Sequence, residues 1–128
     1  MCVVVDVASV ERSRRAACLL TAANNYAVTL ACHDRFEEAK SLYRKSIPVA
    51  QRVLGKCHDL TLRMRGSYAD ALYTDPAATL DDLREAVTTL EDTVRVARRV
   101  LGSAHPSTEW TEDELRNARA TFRVREGA

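Results

Sequence analysis

VLGKCHDLT, at residues 53–61, recurs in altered form as VLGSAHPST at residues 100–108. Further upstream, residues 25–30 align with residues 67–72, which stand 42 positions later (67 minus 25). Similarity at a fixed period of about 20 to 50 residues is typical of arrays in which each unit packs mainly against its neighbours. The chain is therefore predicted to be a tandem repeat and not a single globular core.

The composition of the chain favours helices packed on helices. Hydrophobic residues make up 46% of the 128 residues and charged residues 29%, as in a folded domain. Aromatic residues make up only 5%, so burial has to rest on Ala, Leu and Val. Small side chains of this kind allow helices to approach each other closely.

Periodic apolar residues predict one long helix in each copy of the repeat. They recur at spacings of three and four through residues 36–54, and Gly55 is placed to end that helix. In front of it, Asp34 and Glu37 have the spacing of a capping box. The same apolar pattern predicts the second copy of this helix at residues 79–101.

The remaining periodic segments complete a chain of five helices. Three further helices are predicted at residues 16–32, 59–73 and 106–123. The fold class is therefore an all-α helical-hairpin solenoid of about two and a half repeats. The repeat domain is predicted over residues 14–125, and residues 1–13 are predicted to be irregular or poorly ordered. Pro48 removes a backbone hydrogen bond within its helix and predicts a kink near residues 44–48.

Several blocks of sequence identify the type of repeat. NNYA at residues 24–27, RFEEAKSLY at residues 35–43 and VLG at residues 53–55 occur in that order, and the last copy has the pattern HPxT at residues 105–108. These blocks resemble the tetratricopeptide repeats of the kinesin light chain type. The resemblance covers residues 20–108 and implies stacked helical hairpins that bind proteins or peptides.

The second unit departs from the pattern of this family. Gly66 and Ser67 stand where two asparagines are expected, and Asp59 replaces the expected proline. The unit also holds five extra residues, the difference between spacings of 47 and 42, which we place at residues 74–78. No long heptad region is present, so the resemblance does not imply the role of a motor adaptor.

The resemblance implies a ligand groove on the inner, concave face of the array, which the first helix of each unit lines. The groove positions of the family fall at Thr21, Asn24, Asn25, Val28, Arg63, Gly66, Ser67, Asp70, Trp110, Asp113, Glu114 and Asn117. Partner binding is predicted for all of them except Gly66, Asp113 and Glu114.

Within this set, Asn24 and Asn25 are the strongest candidates. An amide both donates and accepts hydrogen bonds and so can hold the backbone of an extended peptide, whereas two adjacent asparagines disfavour a helix. The alternative is that one of them bonds to a neighbouring helix. Trp110 also has two interpretations, as a ligand anchor or as a cap over the last interface.

Charge and cysteine content argue against several other classes of site. The net charge of +1 gives no general attraction to nucleic acid or anionic lipid, and no apolar run is long enough to span a membrane. The four cysteines lack the spacing of a disulfide scaffold, which favours reduced thiols and a cytosolic location. The pairs Cys32-His33 and Cys57-His58 lack the ligand spacing of zinc modules, so no metal site is predicted.

The functional hypothesis is an interaction module. The carboxylates stand at helix starts, and there is no phosphate-binding loop or nucleophile–base arrangement, so neither catalysis nor a cofactor is predicted. The chain is expected to present its groove to a peptide or partner domain. The alternative is a structural spacer or self-association segment, as a piece of a larger tetratricopeptide or kinesin light chain-like protein. The apolar run at residues 16–20 predicts self-association through the N-terminal helix.

Overall fold

A computed structural model describes residues 6–127 of the chain. Within these residues it contains five α-helices and no β-strand, in the order α1 Val7–Cys32, α2 Phe36–Val53, α3 Asp59–Thr74, α4 Leu80–Val100 and α5 Pro106–Gly127. The central helix α3 contacts both α1 and α5, while α2 packs on α1 and α3, and α4 packs on α3 and α5. The predicted fold class is confirmed: two helical hairpins, α1–α2 and α3–α4, are followed by the single helix α5.

The ends of α2 and α4 agree with the sequence prediction. Gly55 and Gly102 follow these helices with backbone φ angles of +99° and +90°, in the left-handed region that favours glycine. Their N–H groups donate to the carbonyl oxygens of Ala50 and Ala97, both at 3.2 Å. The repeated block therefore marks the same helix end twice. Pro48 lies inside α2 without ending it, and the kink expected there stays a prediction.

The start of α2 differs from the prediction. Asp34 lies in the turn before the helix with φ +62°, and the residue at the N-cap makes no side-chain hydrogen bond. Glu37 pairs instead with Lys40, with 2.9 Å between Oε1 and Nζ. A capping box does occur in the second copy, where the hydroxyl of Thr79 accepts from the N–H of Asp82 at 3.1 Å. The capping box predicted for α2 is wrong because the turn carries Asp34 away from the helix start.

The histidine of the repeated block has a structural role in both copies. Nδ1 of His58 accepts the N–H of Leu60 at 3.1 Å, at the start of α3. Nδ1 of His105 accepts the N–H of Ser107 at the same distance, at the start of α5. The repeat therefore uses histidine to satisfy a free N–H group at the beginning of a helix.

α1 begins earlier than the sequence analysis places it. Asp6 caps the helix by accepting the N–H of Ala8 at 3.1 Å. Residues 7–13 were expected to be irregular, and the structure corrects this, since they are helical; residues 1–5 lie outside the described residues. The physical reason is that neither Gly nor Pro occurs between the cap and Cys32, so nothing in the backbone interrupts the helix.

The core is divided between the two hairpins. The largest hydrophobic cluster joins α3, α4 and α5 around Leu72, Leu83, Leu90 and Leu115. Two smaller clusters hold α1, α2 and α3 together, and their buried members are alanines and leucines with Met64 and Tyr43. Each hairpin therefore packs against its neighbour, as expected for a repeat array.

Two of the inserted residues 74–78, Asp75 and Ala78, are buried. Oδ1 of Asp75 accepts the N–H of Ala77 at 2.9 Å, and Oδ2 accepts from Nζ of Lys40 at 3.1 Å. Burial disfavours both charges, but the hydrogen bonds that each makes raise the pKa of Lys40 and lower the pKa of Asp75. The insertion thus ties α2 to the turn between α3 and α4.

Candidate functional site

Two adjoining cavities lie between α1, α3 and α5. The first, of about 520 Å³, is here called the polar cavity, and the second, of about 380 Å³, the apolar cavity. Val28, Ser67 and Trp110 line both, so the two cavities form one continuous surface, here called the inner groove.

The groove gathers most of the residues that the sequence places on the inner face. The polar cavity is lined by Asn24, Asn25, Val28, Arg63, Ser67, Pro106, Ser107 and Trp110. Asp70 lines the apolar cavity together with Thr74 and Cys32. Thr21 and Asn117 line neither cavity; the hydroxyl of Thr21 donates to the carbonyl of Ala17 at 2.7 Å.

Sequence reasoning missed part of the apolar wall. Phe36 and Tyr43 line the apolar cavity from α2, although their apolar spacing is that of core residues. Ser107 lines the polar cavity and was also missed; its hydroxyl donates to Asp59 at 2.7 Å. The position of Ser107 in the repeated block, directly after Pro106, is the one signal that could have found it.

The two asparagines of α1 have different surroundings. Asn24 is 5% exposed, and its Oδ1 accepts the hydroxyl of Tyr43 at 3.2 Å. Burial raises the pKa of Tyr43 to about 12, against a smaller opposing effect of the Ser67 hydroxyl. The interpretation that one asparagine bonds to a neighbouring helix therefore describes Asn24. Asn25 is exposed, and its side chain makes no hydrogen bond to any residue among 6–127.

Trp110 packs against the backbone of α3 at the position where the family expects an asparagine. A Cβ atom built on Gly66 would lie 2.6 Å from Cζ3 of the indole ring, so only glycine accommodates the ring here. Trp110 is half-buried and still lines both cavities. It thus closes the α3–α5 interface and presents part of its ring to the groove.

Arg63 is the basic residue of the polar cavity. It is exposed, and no carboxylate of the described part of the chain lies within ion-pair distance of its guanidinium. Most of the arginines on the other surfaces of α3, α4 and α5 do make such pairs; Arg65 and Arg98, for example, lie 2.7 Å from Asp92 and Glu112. The cavity therefore holds an unneutralised cation.

A carboxyl pair lies at the opposite end of the groove. The hydroxyl of Tyr73 donates to Oε2 of Glu114 at 2.6 Å, and Glu114 is 8% exposed. Burial raises the pKa of Glu114 to about 8, and a hydrogen bond with the neighbouring Asp70 adds to the rise, while Tyr73 opposes it. Glu114 is therefore mainly protonated near neutral pH. Within residues 6–127, no cation pairs with either Asp70 or Glu114.

Comparison with known families agrees with this geometry. The tetratricopeptide repeat family matches residues 19–59 and 78–107, more than half of the chain, and the chain belongs to this family. Repeats of the family generally mediate protein–protein interactions and are non-enzymatic. The unmatched residues 60–77 include Gly66 and the start of the insertion. No curated protein and no solved structure gave a significant match.

Two further features concern the apolar character of the helices and the grouping of possible metal ligands. Among residues 6–127, no helix combines the length and the apolar character that crossing a bilayer requires. The same residues contain no cluster of three or more His, Cys, Asp or Glu side chains that could hold a metal ion.

Proposed function

We propose that the chain is a non-enzymatic protein-interaction module of the kinesin light chain-like type, which holds an extended peptide in the inner groove. One observation carries this proposal: the groove presents polar side chains that make no hydrogen bond or ion pair with neighbouring side chains. Asn25 and Arg63 are exposed there without a side-chain partner among residues 6–127. Beside them, Val28 and Trp110 offer apolar surface.

Each of these groups suits one part of a peptide. The amide of Asn25 both donates and accepts, and so can pair with the N–H and C=O groups of an extended backbone. The guanidinium of Arg63 matches a carboxylate in charge and shape. The ring of Trp110 packs against Gly66 and contributes apolar surface to the groove.

Replacing Asn25 tests the proposal without disturbing the fold. The immobilised chain is first used to select binders from a displayed library of short random peptides. The affinities of the selected peptides are then measured by fluorescence anisotropy for the chain and for Asn25→Ala. We expect Asn25→Ala to weaken binding about three- to tenfold, the effect of one or two hydrogen bonds.

Gln51→Ala is the matched control, because Gln51 also carries an amide and lies on α2 outside both cavities. It should leave the affinities unchanged. The proposal fails if the chain selects no peptide, or if the two alanine variants weaken binding equally.

The alternative function, self-association through α1, is favoured by a separate observation. Leu19 and Tyr26 are 73% and 57% exposed and stand seven residues apart, so they share one face of α1. We propose that this face meets the same face of a second copy.

Sedimentation at increasing concentration should show a dimer that Leu19→Glu abolishes. Leu20 is 6% exposed and is left unchanged because it belongs to the core. A chain that stays monomeric at high micromolar concentration would exclude this association.

We further propose a cytosolic location, with neither nucleic acid nor membrane as a partner. Cys18, Cys32 and Cys57 are exposed free thiols, which suits a reducing compartment. The net charge of +1 provides no general attraction to polyanions.

A further inference from the structure

The apolar cavity combines an apolar wall with a carboxyl group. Ala31, Phe36 and Tyr43 line it beside Val28 and Trp110, in a volume of about 380 Å³. Asp70 also lines the cavity, and its carboxyl group hydrogen-bonds to Glu114, which lines neither cavity. A carboxylate at an apolar wall is costly unless a cation or hydrogen-bond donors compensate it.

Several half-buried or buried carboxylates of the chain have such a cation, whereas the half-buried Asp59 and Asp82 accept hydrogen bonds from Ser107 and Thr79 instead. Asp75 pairs with Lys40 at 3.1 Å, and Asp92 pairs with Arg65 at 2.7 Å. For Asp70 and Glu114, the described residues supply hydroxyl groups but no cation. Asp70 differs from those other carboxylates because it lines a cavity that could receive a cation.

We propose that the apolar cavity binds a lysine or arginine side chain of the peptide held in the inner groove, with its cation on Asp70. This inference rests on the proposed peptide-binding function and adds the chemical class of the ligand. The methylene groups of a basic side chain pack along apolar surface while its charged end reaches a polar partner. The ring faces of Phe36 and Trp110 supply such a surface, and Asp70 supplies the partner.

The charge of the carboxyl pair matches one basic side chain. Burial keeps Glu114 protonated near neutral pH, since its pKa is raised to about 8. Glu114 therefore adds no full negative charge beside Asp70, and a single lysine or arginine is the expected partner. The hydroxyl of Tyr73 donates to Glu114.

The spacing of charges along α3 gives the spacing expected in the ligand. Arg63 lines the polar cavity and Asp70 the apolar cavity, and they are seven residues apart on one face of the helix. Seven residues of helix rise by roughly 10 Å, and an extended peptide advances about 3.3 Å per residue. The ligand should therefore carry an acidic and a basic residue about three positions apart.

Selection from the displayed library of random peptides tests this directly. With the full chain as bait, we expect enrichment of peptides that hold a basic residue about three positions from an acidic residue. Asp70→Asn should lose the preference for the basic residue and keep the preference for the acidic one. Asp81→Asn, an exposed aspartate on α4 outside both cavities, is the matched control and should select as the unaltered chain does.

A second measurement uses the unaltered chain, so it does not depend on the folding of a variant. The lysine of a selected peptide is replaced by norleucine, which keeps the methylene groups and removes the charge. Affinity should fall about tenfold, as for the loss of one partly buried ion pair. Against Asp70→Asn, the same replacement should change the affinity by less than about twofold.

The outcomes separate this inference from the proposed function. The basic-side-chain site alone would be overturned if the selected peptides bind but show no preference for a basic residue. It would also be overturned if replacing lysine with norleucine lowers the affinity equally for the unaltered chain and for Asp70→Asn. Failure to select any peptide would overturn the peptide-binding function and this site together.

Discussion

The two faces of α3 use the same residue types in different ways. On one face, Arg65 lies 2.7 Å from Asp92, and the hydroxyl of Tyr68 accepts from Arg44 and donates to Glu85. On the other face, which lines the inner groove, Arg63 has no ion-pair partner among the described residues. Two arginines separated by a single residue therefore have opposite surroundings.

The difference arises from the neighbouring helices. α2 and α4 flank the first face and supply the side chains of Arg44, Glu85 and Asp92. α1 and α5 flank the groove face and supply amides, an indole ring and the acidic Glu114. Charges on the first face hold helices together, whereas the guanidinium of Arg63 on the groove face pairs with no carboxylate of residues 6–127.

The largest expected effect concerns pH and the buried Glu114. Its folded pKa, about 8, is raised above the ordinary value of 4.5. Its contribution to the free energy of unfolding is therefore fully present below about pH 4.5 and is lost as the pH rises through about 8. Chemical denaturation should show a loss on the order of 3 kcal/mol between about pH 5 and pH 8.

Glu114→Gln is the matched control for this titration. The amide keeps the acceptor for Tyr73 and a donor for Asp70 but cannot ionise. The variant should lose the pH dependence of stability between about pH 5 and pH 8. If both proteins show the same pH dependence, Glu114 does not hold the proton that its raised pKa implies.

A smaller effect is expected at the two asparagines of α1. Asn24→Ala removes the acceptor of the buried Tyr43 hydroxyl and should lower the free energy of unfolding by about 2 kcal/mol. Asn25→Ala should leave stability unchanged or raise it by up to about 0.7 kcal/mol, because alanine favours the helix. In a Tyr43→Phe background, the effect of Asn24→Ala should largely disappear. Equal destabilisation by the two alanine variants would contradict the distinction between them.

Local chemistry made much of the fold predictable. Gly55 and Gly102 end two helices in a backbone conformation that glycine adopts readily, so a repeated glycine after a periodic run identifies a helix end. The capping box at Asp34 was wrong because Asp34 and Glu37 have the required spacing without the required backbone conformation. The early start of α1 was missed because residues 7–13 bury no side chain and so lack an apolar period.

The site was less predictable than the fold. Alignment of the repeats placed Asn25, Arg63 and Asp70 on the inner face, because equivalent positions of a repeat face the same way. It could not distinguish Asn24, whose role depends on the distance to Tyr43 in another helix. The pairing of Asp70 with Glu114 spans 44 residues (114 minus 70) and depends on how closely α3 and α5 approach, which no local pattern encodes.

The smallest expected effect is the difference in stability between the two arginines of α3. Arg65 has a side chain only 17% exposed, and Arg65→Ala leaves Asp92 without this partner. It should lower the free energy of unfolding by about 1 kcal/mol, and less in high salt, because salt screens the pair. Arg63→Ala removes an exposed, unpaired charge and should change stability by less than about 0.5 kcal/mol. Urea denaturation at low and high salt distinguishes the two variants. A salt-sensitive destabilisation by Arg63→Ala would mean that Arg63 has a partner within the chain, and its charge would then not be available to a ligand.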